Sequence, residues 1–349
     1  MHINIIKNNI YGIITVTSLV AISVAISKIL LNYELFISAS FICILLGLII
    51  GNLLKTNNQI EWVINLSLKK ILRIGIAFLG ISLSFSELFG YGIISFFLVF
   101  INIIIAFLSV YILCRFFKIS KDLGYLIAIG TSICGVTAVI AASSIIKPSK
   151  NETSYAIGII TIFGMIAVFT YPYLANFLFD NDAKLAGIFL GSSIHDTAQV
   201  SAAGLIYSEM YNSEIAMNSA MTTKLLRNSF LIFLIPLLAY FYNNQNNINL
   251  KNSIKTFFPY FVIGFLGMSI LRTFGDLLIL NKDLIHYWEY LIYSIKTISK
   301  YCILFAMVSL GLQTNLRKVS KLGFTPLFAG SIAAIIIGIS SILYLKLLI

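Results

Sequence analysis

The chain has 349 residues, of which 59% are hydrophobic and only 11% are charged, and its mean hydropathy is +0.96. A soluble globular domain carries about 25% charged residues, so the composition excludes one and indicates an integral membrane protein. The net charge of +11 does not indicate a nucleic-acid partner, because the basic residues flank apolar runs in short loops. The three histidines and four cysteines show neither metal-ligand nor CxxC spacing, so we predict no metal site and no cofactor.

Apolar runs long enough to cross a bilayer recur along the whole chain. A transmembrane helix needs about 20 mainly apolar residues. We therefore predict an all-α polytopic membrane protein of about 10–11 transmembrane helices, forming a single domain over residues 1–349. The predicted segments are 10–31, 35–54, 70–86, 89–114, 122–146, 153–178, 184–207, 222–242, 256–278, 295–312 and 322–348. The one clear polar linker is the asparagine-rich stretch 243–252.

The basic residues are distributed unevenly between the two sides of these segments. If all the segments cross, the richer side holds Lys7, Lys55, Lys69, Lys70, Arg73, Arg115, Lys118, Lys121, Lys184, Lys251, Lys255, Arg317, Lys318 and Lys321. The other side holds chiefly Lys28, Lys147, Lys150 and Lys282. The positive-inside rule then predicts a cytoplasmic N-terminus. An odd number of crossings leaves the C-terminus outside, unless 122–146 or 184–207 enters the membrane and returns.

An aromatic stretch precedes the tenth segment. Its apolar residues Leu284, Trp288, Leu291, Ile295 and Ile298 share one helical face. This pattern fits a helix that lies in the membrane interface, and it fits equally an extension of the following span.

Two of the apolar segments carry related polar motifs. Residues 130–143 and 191–204 match at an offset of 61. The identical pairs are Gly130/Gly191, Ser132/Ser193, Ile133/Ile194, Val139/Val200, Ala141/Ala202 and Ala142/Ala203. Paired glycine-broken, hydroxyl-rich segments within one helical bundle are typical of a transporter core. We expect core elements near 122–147 and 184–207.

The first motif suggests an anion site. Gly130 permits the backbone to break, and Thr131 or Ser132 can cap the helix that restarts at Val136. The free N–H groups of a helix start attract anions, and the hydroxyls of Thr131, Ser132 and Thr137 can bind a tetrahedral oxyanion. The alternative is a small-residue surface for helix packing.

The second motif places a carboxylate, Asp196, inside an apolar run beside His195 and Gln199. An ionisable residue in a membrane segment is destabilising and marks a functional site by default. We predict that anion binding is coupled to protonation of Asp196 or His195. The alternative is that Asp196 only caps its own helix, since Ser193 and Asp196 have capping-box spacing.

Lys224 and Arg227 share a helical face at the start of the eighth segment. Two interpretations remain open: they attract the anion, or they snorkel to the interface and set the topology. No G-x-x-x-x-G-K-[ST] motif suggests an ATP-driven pump, and no G-x-S-x-G motif suggests a hydrolase. We therefore do not expect an enzyme.

These motifs resemble those of a known family. Gly130-Thr-Ser-Ile-Cys-Gly135, Gly191-Ser-Ser-Ile-His-Asp-Thr-Ala-Gln-Val200 and Lys224-Leu-Leu-Arg227 are similar to motifs of the YeiH-like bacterial inner-membrane proteins, which are labelled sulfate exporters. Weaker likeness at Gly47, Gly51-Asn52, residues 73–83 and Gly311-Leu-Gln-Thr314 extends the resemblance over nearly the whole chain. The chain departs from the family pattern with Asp196 in place of a glutamate and Asn228 in place of an apolar residue.

The resemblance implies a secondary transporter of the bacterial inner membrane, related to the cation/proton antiporter and anion transporter superfamily. It also implies inverted repeats, a scaffold domain, and a core domain in which two discontinuous helices cross near the midplane. We expect the core to move against the scaffold during transport.

We predict a secondary active transporter of a small anion, such as sulfate or a related sulfur oxyanion, that is coupled to an ion or proton. The expected substrate-binding residues are Gly130, Thr131, Ser132, Cys134, Gly135, Thr137, Ser192, Ser193, Gln199 and Asn52. His195 and Asp196 are the expected coupling residues, and Lys224 and Arg227 the anion-attracting ones. The expected partners are the lipid bilayer, the anion and a coupling proton or sodium ion, with a homodimer as a candidate assembly. The alternatives are a sodium- or proton-coupled organic-anion carrier and a non-transporting membrane enzyme or sensor.

Overall fold

The computed structural model describes residues 9–33, 37–53, 57–242, 260–278, 282–314 and 324–347. Within these ranges the regular structure is entirely helical. In chain order the helices are α1 (Ile10–Asn32), α2 (Ala39–Leu53), α3 (Asn58–Leu66), α4 (Leu72–Leu79), α5 (Phe85–Phe116), α6 (Lys121–Ser132), α7 (Val136–Ile146), α8 (Lys150–Leu178), α9 (Ala183–Ser193), α10 (Thr197–Tyr211), α11 (Glu214–Ser229), α12 (Leu231–Tyr242), α13 (Tyr260–Leu278), α14 (Lys282–Gln313) and α15 (Phe324–Lys346). The predicted polar linker at 243–252 lies outside the described residues.

Six of the described helices are long and apolar enough to cross a membrane. They are α1, α5, α8, α13, α14 and α15, and they confirm an all-α polytopic membrane protein. The second predicted segment is α2, an apolar helix of 15 residues. The segments predicted at 122–146, 184–207 and 222–242 are instead built from two shorter helices each.

The aromatic stretch before the tenth segment belongs to a long helix. Residues Lys282–Gln313 form α14 without an interruption over 32 residues. Of the two interpretations of this stretch, an extension of the following span is therefore correct, and a separate interfacial helix is wrong.

The chain divides into two compact units. The first unit comprises Met1–Leu88, Gly204–Asn218 and Phe261–Arg317, and the second comprises Phe89–Ala203, Ser219–Tyr260 and Lys318–Ile349. Both motifs identified in the sequence, together with Lys224 and Arg227, belong to the second unit.

In the first unit, α2 and α14 approach each other at glycines. A side chain at Gly47 would overlap the carbonyl of Val308, and one at Gly311 would overlap that of Ile44. Asn52, which we predicted as an auxiliary substrate ligand, belongs to this contact. Its Nδ2 donates hydrogen bonds to the carbonyls of Leu48 and Thr314, each at 2.8 Å. Asn52 therefore joins the C-terminal ends of α2 and α14.

Candidate functional site at two helix breaks

The second unit contains two helices that are interrupted at equivalent positions. The helix α6 ends at Ser132 and α7 begins at Val136, while α9 ends at Ser193 and α10 begins at Thr197. The intervening residues, 133–135 and 194–196, differ in position by the same 61 residues that relate the two sequence motifs. Similar sequences therefore produce the same helix–break–helix form twice.

The first break depends on Gly135. Its φ of 68° and ψ of −126° lie in a region of backbone conformation that is essentially restricted to glycine. A Cβ at this position would also lie 3.1 Å from the Cα and the Oδ2 of Asp196. Gly130, in contrast, is a regular position of α6, where a side chain would collide with Ile160. The prediction that Gly130 permits the break is wrong, because it serves helix packing and Gly135 permits the break.

The hydroxyls of the first motif are directed into their own helix. Thr131 Oγ1 donates to the carbonyl of Ile127 at 2.7 Å, and Ser132 Oγ donates to that of Ile129 at 3.2 Å. The N-cap of α7 is Gly135, so the prediction that Thr131 or Ser132 caps this helix is wrong. Cys134 is a buried free thiol, whereas Thr137 lies exposed in the first turn of α7.

At the second break, Asp196 accepts hydrogen bonds from the first turns of both restarted helices. Its Oδ1 accepts from the N–H of Ala198 at 2.9 Å, and its carboxylate also accepts from the N–H of Val136. The predicted capping box is not formed, because Ser193 is the last residue of α9. Since helix N-termini carry partial positive charge, the anion site expected at the start of α7 is occupied by the protein's own carboxylate.

Lys224 lies completely buried in α11 and donates to the backbone at both breaks. Its Nζ donates to the carbonyls of Ile133 at 2.9 Å and Ile194 at 3.0 Å, and also to that of His195. These carbonyls lie where the first helix of each pair has ended and can no longer satisfy them.

Arg227, one helical turn later, is 1% exposed and makes a parallel set of contacts. Its Nε donates to the carbonyl of Ser132 at 2.7 Å, and its Nη2 donates to that of Thr131. Its Nη1 donates to the carbonyls of Ser192 at 2.8 Å and Ile194 at 2.9 Å. The snorkelling interpretation is wrong for both cations, because they are buried against the breaks rather than extended to an interface.

The charges at the two breaks complement the helix dipoles. The C-terminal ends of α6 and α9 are electronegative and face Lys224 and Arg227, and the N-terminal ends of α7 and α10 are electropositive and face Asp196. The three ionised groups together carry a formal charge of +1. The N-terminal ends are also the accessible ones, since Asp196 and Thr197 are partly exposed while residues 191–195 are buried.

The other predicted residues of the second motif have distinct environments. Gln199 is buried and accepts from the N–H of Asp196 at 3.2 Å, while its Nε2 donates to the carbonyl of Thr161 at 3.1 Å. Ser192 Oγ donates to Ser341 Oγ at 3.1 Å. Ser193 Oγ and His195 Nδ1 are buried and have no hydrogen-bond partner among the described residues. The structure thus brings all the predicted site residues except Asn52 into one unit.

Two residues of the site were not predicted. Thr161 in α8 orients Gln199 through its carbonyl. The helix α8 can approach Gln199 closely because Gly164 has no side chain, and a Cβ at this position would overlap Gln199. Asn228 is buried and donates from Nδ2 to Thr197 Oγ1 at 3.1 Å. Nothing in the sequence around Thr161 indicates this role, whereas Asn228 directly follows Arg227 and departs from the family pattern, so it could have been identified.

Comparison with known proteins supports this description of a membrane protein. The chain is 29% identical over 331 residues to a UPF0324 membrane protein of Campylobacter jejuni, covering 91% of this chain and 89% of that protein. It is 32% identical over 321 residues to a UPF0324 membrane protein of Neisseria meningitidis, covering 88% and 90% of the two chains. No solved structure matches the chain. The family described as conserved hypothetical protein 698 matches residues 11–330, and the protein therefore belongs to this family.

Proposed function

We propose that this protein is a secondary active transporter that moves a small anion across the membrane together with a proton. The proposal depends chiefly on one observation. The carboxylate of Asp196 accepts hydrogen bonds from the first turns of two interrupted helices, α7 and α10. Interrupted helices whose ends meet at ionisable groups are the typical substrate and coupling sites of secondary transporters.

The coupling follows from competition for the same donors. The ionised carboxylate of Asp196 occupies N–H groups of Val136 and Ala198 that would otherwise attract an anion. Protonation removes the negative charge and weakens these hydrogen bonds, because bonds to an ionised acceptor are about twice as strong as neutral ones. The anion can then bind the N–H groups that the ionised carboxylate occupied, so the proton and the anion are bound to the protein at the same time.

The buried cations favour the same exchange. Lys224 and Arg227 stay fixed by carbonyls at both breaks, and with Asp196 protonated their formal charge is +2. An uncompensated positive charge in a low-dielectric environment is destabilising, and a bound anion reduces it. The cations therefore attract the anion through their field, while the N–H groups and the exposed hydroxyl of Thr137 contact it.

The substrate class that we propose is sulfate or a related sulfur oxyanion. The resemblance of the motifs to YeiH-like sulfate exporters supports this choice, as does the relationship to the anion-transporter superfamily that it implies. A tetrahedral oxyanion has several acceptor oxygens, which suits donors from two converging helix starts. We further propose that the protein lies in the bacterial inner membrane with its N-terminus in the cytoplasm, as the distribution of basic residues indicates.

The test is the flux of radiolabelled sulfate into proteoliposomes under an imposed pH gradient. We expect gradient-driven, saturable uptake by the parent protein and loss of the gradient dependence in Asp196→Asn. The matched control is Asp182→Asn, since Asp182 caps α9 by accepting from the N–H groups of Lys184 and Leu185, away from the breaks. Both substitutions keep an oxygen that can cap a helix and remove the ionisable group.

The outcomes distinguish the parts of the proposal. Gradient-driven flux that is unchanged in Asp196→Asn would reduce Asp196 to a helix cap. Flux that follows a sodium gradient instead would favour a sodium-coupled carrier. If sulfate is not transported, the same assay with organic anions tests the substrate class, and the absence of any saturable flux would contradict transport itself.

A further inference from the structure

The first unit contains a cavity of about 750 Å³, with both apolar and charged residues in its lining, that the proposed transport site does not use. It is lined by the C-terminal ends of α1 and α10, the N-terminal ends of α2 and α11, and the middle of α14. Ligand pockets in proteins typically measure about 300–1,000 Å³, so the cavity is large enough for a small organic molecule.

Among the residues that the structure describes, one lysine of the cavity lining has no charged partner. Glu209 Oε1 forms an ion pair with Lys300 Nζ at 2.9 Å, and Glu214 Oε2 forms one with Lys296 Nζ at 2.6 Å. Lys28, the third lining lysine, forms neither an ion pair nor a hydrogen bond with any residue that the structure describes. The described lining therefore has one excess positive charge, located at Lys28.

Glu209 is fixed in place rather than free to move toward Lys28. Its Oε2 accepts hydrogen bonds from the N–H of Ser40 at 3.2 Å and from the Ser40 hydroxyl at 2.9 Å. Its side chain is only 12% exposed. An anion that enters the cavity therefore meets an ammonium group that no described residue pairs with, and a carboxylate that is already neutralised by Lys300.

Asn218 supplies an unused hydrogen-bond acceptor in the lining of the same cavity. The residue is 6% exposed, and its Nδ2 donates to the carbonyl of Ser82 at 3.3 Å. Its Oδ1 is buried and accepts no hydrogen bond within the described part of the chain. A buried acceptor without a partner is destabilising, so a ligand that donates to it gains binding energy.

We infer that this cavity binds a small organic anion that also carries a hydroxyl or amino donor. The anionic group pairs with Lys28, and the donor binds Asn218 Oδ1. An anion without a donor, such as sulfate, satisfies only the first of these groups. The inference does not depend on the proposed transport function, because all of these residues belong to the first unit.

The test is isothermal titration calorimetry with the full-length protein in lipid nanodiscs. The probes are isethionate and lactate, which carry an anionic group and a hydroxyl, and their analogues ethanesulfonate and propionate, which lack the hydroxyl. We expect saturable binding of the hydroxylated probes, and binding of the analogues weaker by about twofold to tenfold, the effect of one net hydrogen bond. Lys28→Met should weaken all four ligands by about tenfold or more, the effect of a charged partner.

Asn218→Leu gives a sharper result than a loss of binding. It removes the acceptor at similar volume, so isethionate and ethanesulfonate should bind equally well to this variant while both still depend on Lys28. Lys70→Met is the matched control, because Lys70 is an exposed lysine that does not line the cavity. Asp196→Asn should also bind the probes as the parent does, which separates the cavity from the helix breaks.

Three results would overturn the inference. One is the absence of saturable heat for all four probes up to about 10 mM, which corresponds to binding too weak to be specific. Another is binding to Lys28→Met that equals binding to the parent. The third is a preference for the hydroxylated probes that persists in a folded Asn218→Leu. Lys28 is exposed, so its substitution tests the inference even if Asn218→Leu does not fold.

Discussion

At the scale of single residues, the helix breaks explain how three ionisable groups are accommodated inside a membrane protein. Lys224 and Arg227 donate to carbonyls at both breaks, and Asp196 accepts from N–H groups of the two restarted helices. A break in a helix leaves unsatisfied backbone groups that are destabilising in an apolar environment. The charged side chains satisfy these groups, and the same groups solvate the charges.

We expect Arg227→Met to be strongly destabilising. It removes donors from carbonyls of Thr131, Ser132 and other buried residues, and each buried acceptor left without a donor lowers the free energy of unfolding by about 1–3 kcal/mol. Arg227→Lys should lower the free energy of unfolding by less, because lysine keeps the charge. Some loss should remain, since lysine lacks the planar array of donors. The free energy of unfolding, measured by denaturant titration in detergent, provides the test.

The matched control for Arg227 is Arg272→Met. Arg272 forms an exposed ion pair with Asp276 at 2.6 Å, and such pairs contribute about 0–1 kcal/mol. If Arg227→Met loses no more stability than Arg272→Met, the buried guanidinium does not stabilise the breaks.

At the scale of helical elements, the sequence predicted two interrupted helices and the restart of the first one at Val136, but neither the residue that permits this break nor the connections between the breaks. The offset of 61 residues between the motifs correctly indicated two similar interrupted helices. The partners of Asp196 could not be predicted, because Val136 is distant in sequence and meets the carboxylate only when the two pairs pack together. For the same reason the sequence left open whether Lys224 and Arg227 attract an anion or extend to a membrane interface.

The first break gives a prediction about backbone conformation. Gly135→Ala places a Cβ on a backbone with φ of 68° and ψ of −126°, which should be destabilising by about 1–3 kcal/mol. The same Cβ would contact Asp196 at 3.1 Å, so we also expect the pH dependence of transport to change. Both the free energy of unfolding and the flux assay check this expectation.

Gly92→Ala in α5 is the control for Gly135, because a Cβ at Gly92 meets no atom within 4 Å. Alanine is favoured over glycine inside a helix by about 0.5–1 kcal/mol, so this variant should be slightly more stable than the parent. Equal effects of the two substitutions would contradict a special role for the backbone at Gly135.

At the scale of the whole molecule, the two broken elements bear on the membrane topology. The structure describes six helices that are long enough to span, while α6–α7 and α9–α10 are pairs of shorter helices. Each pair could cross the membrane or return to the side from which it enters. Because the two pairs have the same form and the same position of the break, we expect them to behave alike.

This expectation predicts that Lys118 and Asn212 lie on opposite sides of the membrane, with Lys118 in the cytoplasm. Between these residues the chain passes through α6–α7, the spanning helix α8 and α9–α10. If both pairs cross, or both return, the number of crossings is odd in either case. The positive-inside rule assigns the side that holds Lys118 to the cytoplasm.

Labelling of introduced cysteines tests both the orientation and the equivalence of the pairs. Lys118 and Asn212 form a matched pair, since both are exposed and have left-handed backbones with φ of 52° and 49°. In intact cells, a membrane-impermeant maleimide should label Asn212→Cys and not Lys118→Cys. In permeabilised cells both variants should be labelled. The parent protein measures the background labelling of the native cysteines. The reverse pattern would invert the orientation. Labelling of both or neither in intact cells would show that only one of the two broken pairs crosses, which would contradict their equivalence.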